Sequence, residues 1–104
     1  MVYAPQVEDA LRYIDQNNKT AAQRILAKHL QANPFDEDAW LWLAYILPTR
    51  YQQLQALAEC LKYFPGSSRA QHNQDMLRLG IPMAPPNLFP DIPPEAESYD
   101  SRKF

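Results

Sequence analysis

The side chains best suited to chemistry are two histidines and a single cysteine: His29, His72 and Cys60. Imidazole and thiolate groups bind zinc, and a thiolate activated by an imidazole is a nucleophile. However, no two of the three stand at the spacing of a ligand pair such as CxxC or HExxH. We therefore expect the histidines at the boundary of packed helices, Cys60 as a small buried apolar residue, and no metal or other cofactor.

A second candidate is the acidic run Asp-Glu-Asp at residues 36–38. Carboxylates this close together can bind a divalent cation. The first turn of a helix needs the same residues, because a side-chain oxygen caps exposed N–H groups and negative charge balances the helix dipole. Capping explains the run without a metal. Since the chain also has no Ser-His-Asp order, no context for paired catalytic carboxylates and no glycine-rich phosphate loop, we predict that it is not an enzyme.

The composition limits the elements that could position these groups. The chain has 104 residues, of which 46% are hydrophobic and 21% charged, as is typical of one soluble globular domain. Its two glycines, against ten prolines, are too few for hairpin turns or phosphate-binding loops, where a positive φ favours glycine. The net charge of −2 supplies no positive field to hold a polyanion, so nucleic-acid binding is not expected.

Three features of the sequence predict a cytoplasmic protein without membrane insertion. The longest apolar run, residues 39–47, is less than half as long as a membrane span. The first residues have neither a basic start nor an apolar stretch, so no secretory signal is expected. A single cysteine cannot form an intrachain disulfide, which fits a reducing compartment.

Hydrophobic spacing and helix-boundary residues predict five helices and hence an all-α fold. The expected bounds are residues 5–16, 20–32, 36–47, 49–63 and 67–79. Asp36, Thr49 and Ser67 stand where helices begin. Gly66 and Gly80 follow helical segments, where a left-handed residue is favoured. The third segment is apolar on every side and should therefore be covered by its neighbours.

In the last two helices the spacing also predicts the buried face. The expected stripe of the fourth helix is Leu54, Leu57, Ala58 and Leu61, and that of the fifth is Ala70, Met76, Leu77 and Leu79. Because the fifth stripe is short, we expect this helix to act as a polar cap on the stack.

The segment 81–104 contains six of the ten prolines, too closely spaced for a regular helix before about residue 94. We expect the helical domain to end at residue 80 and an extended or disordered proline-rich tail to follow. Leu88, Phe89 and Ile92 form a short apolar motif within it. This motif could dock on the same chain, on a second copy or on another protein, or it could belong to a simple spacer.

The helical part repeats itself at an interval of 31 residues. Placing Pro34 on Pro65 aligns Leu26 with Leu57, Leu30 with Leu61, and Ala39 with Ala70. Such an interval is typical of helical repeats, in which each helix pair buries its apolar face by stacking on the next pair.

These residues resemble the tetratricopeptide repeat over about residues 4–79. The family's small, aromatic and leucine positions are matched by Ala10, Tyr13, Ala22, Trp40, Leu43 and Ala44, with Trp40 expected in the core. Residues 33–44 look like the junction found in many bacterial members. The second unit is shorter than the family's repeat, and the third is a single helix. The resemblance implies a short α-solenoid of about five antiparallel helices.

The resemblance also implies a binding surface. In the family, one face of each first helix lines a concave groove, and the matching positions here are Val7, Leu11, Leu41 and Tyr45, with Asp38 at the edge. These positions are apolar, whereas relatives that clamp a terminal carboxylate carry Lys and Asn. An apolar extended or helical segment is therefore the expected ligand. The alternative is that the four apolar residues simply pack in the core.

Together these features predict a non-enzymatic protein interaction module, an adaptor or assembly subunit. It would bind a partner segment through the groove, through its own tail, or through both. The partner is another protein or a second copy of the chain. The alternative is a structural subunit of a larger complex, including one peripheral to a membrane, that is attached mainly by the proline-rich tail.

Overall fold

A computed structural model of the chain describes residues 3–86. These residues form five α-helices and no strand, which confirms the predicted all-α class. Every helix begins and ends within one residue of its predicted bounds. None of the five is long and apolar enough to cross a membrane. The helices are α1 (Pro5–Asp15), α2 (Lys19–Ala32), α3 (Glu37–Ile46), α4 (Arg50–Tyr63) and α5 (Ser68–Arg78).

Side-chain caps explain where the helices begin. Four of them are preceded by a residue whose side-chain oxygen accepts a hydrogen bond from the backbone N–H three residues on, at 3.1–3.2 Å. These N-cap residues are Asn18, Asp36, Thr49 and Ser67. The exception is α1, which begins with Pro5; the ring fixes φ near the helical value and removes an N–H that would have no partner there.

The helix ends follow from residues that adopt a positive φ and from prolines. Asn17 (φ 59°) follows α1 and Gly80 (φ 83°) follows α5. At both ends the next backbone N–H bonds back to the helix, from Asn18 to the carbonyl of Tyr13 at 2.8 Å and from Ile81 to that of Met76 at 2.9 Å. This is the Schellman arrangement. The sequence also predicts a left-handed residue at Gly66 after α4. This prediction is wrong, because Gly66 has no positive φ, and Pro65 ends α4 instead.

The packing is centred on α3. Each helix packs against the next one along the chain, and the buried side chains form two clusters. Ala39, Trp42 and Ile46 join one side of α3 to α1 and α2. Leu41 and Ala44 join the other side to α4 and α5. The predicted covering of an all-apolar helix is therefore achieved by neighbours on two sides.

The buried faces of α4 and α5 differ from those predicted. In α4 the buried residues are Ala56, Leu57 and Cys60, while Ala58 is exposed. In α5 the predicted Leu79 is 72% exposed. The buried side chains there are Arg69, Ala70, Gln74 and Leu77. The reason is that α4 packs between α3 and α5, so its buried surface faces two neighbours rather than following one stripe.

Packing continues past the predicted domain boundary at residue 80. Met83 is 8% exposed and belongs to the second core cluster with Leu57 and Leu77. Pro86 is also buried. The first residues of the tail therefore pack against the helices. The predicted docking residues Leu88, Phe89 and Ile92 lie outside the described residues.

Candidate functional site

The residues predicted to line a groove fall into two groups. Val7 is 0% exposed and Leu41 is 1% exposed, each in a different core cluster. Both therefore serve the core, which was the alternative interpretation, and neither offers surface to a partner. Leu11 and Tyr45 are half-buried and keep some surface. That Leu11, Tyr45 and the neighbouring Asp38 contact a partner remains a prediction.

Asp38 takes part in a polar cluster that joins α3 to α5. The Arg69 guanidinium donates to a carboxylate oxygen of Glu37 at 3.0 Å and to one of Asp38 at 2.9 Å. The Ser67 hydroxyl also donates to Glu37. Burial alone would lower the pKa of Arg69, but its bonds to the two carboxylates raise the pKa above its ordinary value. The cluster therefore holds a charged arginine between α5 and the start of α3.

The third carboxylate of the acidic run caps α3 and binds a histidine. One oxygen of Asp36 accepts from the backbone N–H of Ala39 at 3.2 Å, and the other lies 2.8 Å from Nε2 of His29. This contact ties the last turn of α2 to the first turn of α3. All three carboxylates are thus engaged within the protein. Across residues 3–86, no three His, Cys, Asp or Glu side chains are grouped to hold a metal ion.

The other two candidates for chemistry lie apart from this contact. Cys60 is 0% exposed in the second core cluster. Burial, with a smaller contribution from nearby Glu37, raises the pKa of its thiol to about 12, so the thiol stays protonated at neutral pH. His72 lies exposed on α5. None of the three residues lines any of the cavities described below.

Two surface cavities run together above α3. One, of about 380 Å³, is lined by Ala27, Leu30, Gln31, Pro34, Trp40, Leu43 and Tyr63. The other, of about 390 Å³, is lined by Trp40, Leu43, Leu47, Gln52, Gln55, Ala56 and Glu59. Because Trp40 and Leu43 line both, the two cavities adjoin, and together they are here called the α3 groove. Its floor is Trp40, Leu43 and Leu47, and its walls come from α2 and α4.

Aromatic rings form one end of the α3 groove. The indole N–H of Trp40 donates to the carbonyl of Pro34 at 2.8 Å. Its ring stacks on Tyr63, with centroids 6.2 Å apart and an interplanar angle of 12°. Phe35, which is 66% exposed and lines neither cavity, makes an edge-to-face contact with Tyr63, with ring centroids 5.1 Å apart. These contacts hold the rings in place before any ligand arrives.

The rim of the groove is polar and mostly uncharged. Gln31 stands on the α2 side, and Gln52, Gln55 and Glu59 stand on the α4 side. An amide offers two donors and an acceptor that takes two hydrogen bonds, so these side chains can bond the backbone of a peptide lying on the apolar floor. The groove therefore has the floor, end wall and rim that suit an extended apolar segment.

The α3 groove lies on a different side of α3 from the groove predicted from the sequence. Trp40 was expected in the core; it is half-buried and lines the groove, whereas Leu41, expected in a groove, is buried. The spacing of Trp40, Leu43 and Leu47 is readable as one helix face. A second stripe, through Leu41 and Tyr45, is equally apolar. Nothing in the local pattern selects which stripe the neighbouring helices cover.

No model of a known protein family, no curated protein and no solved structure matches this chain. The likeness to tetratricopeptide repeats therefore rests on the residues quoted from the sequence. The order of five helices, each packed on the next, is compatible with it. Membership of the family stays a resemblance, and the function has to be argued from the groove.

Proposed function

We propose that this chain is a non-enzymatic protein interaction module, an adaptor or assembly subunit with tetratricopeptide-like helix pairs, that binds an extended apolar segment of a protein in the α3 groove. The observation that carries the proposal is the apolar lining of the two adjoining cavities, in which Trp40 and Leu47 are half-buried and Leu43 is 9% exposed. The cytoplasmic setting expected from the sequence remains part of the same proposal.

The dimensions of the groove support an extended ligand. Along α4 the lining runs from Gln52 to Tyr63, which is about 16 Å at the rise of an α-helix. A polyproline II segment rises about 3.1 Å per residue, so about five residues fill this length. The apolar floor supplies affinity, and the amide rim limits the cost of burying the ligand's backbone.

The state of the reactive side chains supports a non-enzymatic role. Nucleophilic catalysis needs an accessible nucleophile beside a base. The Cys60 thiol is enclosed and protonated, and His29 is bonded to the capping residue Asp36. The groove floor consists of Trp40, Leu43 and Leu47, which bring apolar contact rather than proton transfer.

Peptide selection tests the proposal. Twelve-residue peptides are selected on the wild-type chain from a random library, and their affinities are compared on Tyr63→Ala and Tyr13→Ala. The two tyrosines are equally exposed, at 36% and 37%, but only Tyr63 lines the groove. We expect apolar peptides whose affinity falls about tenfold or more on Tyr63→Ala, because aromatic anchors dominate interface energies. Equal affinity for both variants would refute the proposal.

A further inference from the structure

The exposed face of α2 beside the α3 groove carries positive charge and no negative charge. Arg24, Lys28 and Gln31 stand at positions i, i+4 and i+7, so they share one face of the helix. Gln31 and Ala27 line the groove, and the two bases therefore continue its edge on the solvent side. Both bases are exposed, and α2 contains no Asp or Glu that could pair with them. Arg24 and Lys28 are here called the basic rim.

Three other exposed bases are neutralised within their own helices. Arg12, Lys62 and Arg78 each pair with an acid three residues earlier on the same helix. Among residues 3–86, no ion pair joins Arg24 or Lys28 to a carboxylate. Like charges at positions i and i+4 also repel each other, which destabilises a helix slightly. Charge pairing within the described part of the chain therefore does not account for the basic rim.

The opposite edge of the groove, on α4, has no comparable charge. Gln52 and Gln55 are neutral, and the carboxylate of Glu59 accepts a hydrogen bond from Lys62 at 2.9 Å. The groove is thus flanked by positive charge along α2 and by a neutral edge along α4. A ligand complementary to this surface combines apolar side chains with negative charge on the α2 side.

We propose that the ligand of the α3 groove is an acidic apolar segment of another protein, whose Asp or Glu side chains pair with the basic rim. This inference rests on the proposed function of the groove. The spacing fits, because Arg24 and Lys28 lie about 6 Å apart along the helix axis. An extended strand places alternate side chains on one side at about 6.6 Å. Two acidic residues separated by one other residue therefore match the two bases.

The basic rim adds selection more than affinity. Exposed ion pairs are screened by water, so each contributes little to the free energy of binding. Charge complementarity speeds the association of an acidic partner, and repulsion disfavours a basic segment of equal apolar content. The apolar floor then supplies most of the affinity for the segment that the rim has selected.

The test compares the wild type with R24Q/K28Q and with R12Q/R78Q. The second double variant is the matched control, because it also removes two exposed positive charges but lies outside the groove lining. The probe is the tightest twelve-residue peptide from the selection on the wild-type chain. A copy of this peptide carries Asn for each Asp and Gln for each Glu. We expect Asp and Glu to be enriched among the selected peptides relative to the unselected library.

The expected changes are specific to charge. For the acidic peptide, Kd should rise about fivefold on R24Q/K28Q, as two exposed ion pairs of ordinary strength predict. It should stay unchanged on R12Q/R78Q, and the neutral copy should bind all three chains alike. Raising the salt from about 0.05 M to about 0.5 M shortens the Debye length from about 14 Å to about 4 Å. Most of the fivefold difference should then disappear.

The contrary outcomes are distinct from a failure of the groove itself. Selected peptides without an excess of acids, or equal affinities for R24Q/K28Q and R12Q/R78Q, would overturn the inference. Binding to phosphatidylserine vesicles that requires the basic rim but not Tyr63 would also overturn it, and would identify an anionic surface as the ligand of the rim. In each case the proposed function stands if peptide affinity still depends on Tyr63, and it fails if that dependence is lost.

Discussion

Arg69 shows how single residues hold this small stack together. Its guanidinium is 8% exposed and reaches from α5 to two carboxylates at the start of α3. The carboxylates of Glu37 and Asp38 repel each other at the start of α3, and the positive charge of Arg69 offsets this repulsion. The same chain contains a contrasting pair, Arg78 with Asp75, which is exposed and 3.6 Å apart.

We predict that Arg69→Ala lowers the free energy of unfolding by about 2 kcal/mol. This is less than the 3–5 kcal/mol expected for a fully buried pair, because water partly screens Glu37 and Asp38. Arg78→Ala, on the same helix, should cost about 0–0.5 kcal/mol, as exposed pairs do. Urea denaturation of the two variants measures the difference. Equal losses would mean that the bridge between α3 and α5 adds nothing to stability.

At the scale of the element, the helix boundaries follow from local chemistry. Each start has a cap or a proline, and two ends have a residue in the left-handed region. The two glycines differ in this respect. Gly80 has a φ of 83°, whereas Gly66 has no positive φ; a Cβ placed on either would meet nothing within 4 Å.

We therefore predict opposite effects of the same substitution at these two positions. Gly80→Ala should destabilise the chain by about 1–2 kcal/mol, because an L side chain is strained at positive φ. Gly66→Ala should stabilise it by about 0.4–1 kcal/mol, since it reduces the entropy of the unfolded chain without strain. Thermal denaturation of both variants tests the pair. A loss of stability in Gly66→Ala would contradict the role assigned to Pro65 in ending α4.

At the scale of the molecule, a stack of five short helices has a limited core. Each helix packs mainly on its neighbours along the chain, so α5 makes most of its helix contacts with α4. Met83 adds to the core from beyond α5 and packs in the cluster with Leu57 and Leu77. The segment 81–86 is therefore part of the folded unit rather than a simple linker.

We predict that deleting residues 81–104 lowers the melting temperature more than deleting 87–104. The longer deletion removes the burial of Met83, and replacing a buried methionine by alanine costs about 2–5 kcal/mol. Met83→Ala in the full chain should reproduce most of the difference, whereas Leu79→Ala should not, since Leu79 is 72% exposed. If both truncated chains melt at the same temperature, the anchoring role of Met83 is wrong.

Much of the fold was predictable because its signals are local. Caps such as Asp36 and Thr49 act through bonds to residues three positions away, and a proline ends a helix by its own geometry. The buried face of α4 was less predictable, because Ala56 and Cys60 are buried by the packing of α4 against both α3 and α5. The partnership of Arg69 with Glu37 and Asp38 also spans distant parts of the chain, which no local pattern reveals.

The all-α class and the bounds of all five helices can be predicted from the chain's local residues, since each boundary depends on residues within a few positions of it. Which apolar stripe of α3 is covered depends instead on how distant helices pack. Leu41 and Trp40 are both suited to burial, and free energy is gained by burying either. The packing of α4 and α5 covers Leu41 and leaves Trp40 at the surface, where it becomes part of a groove.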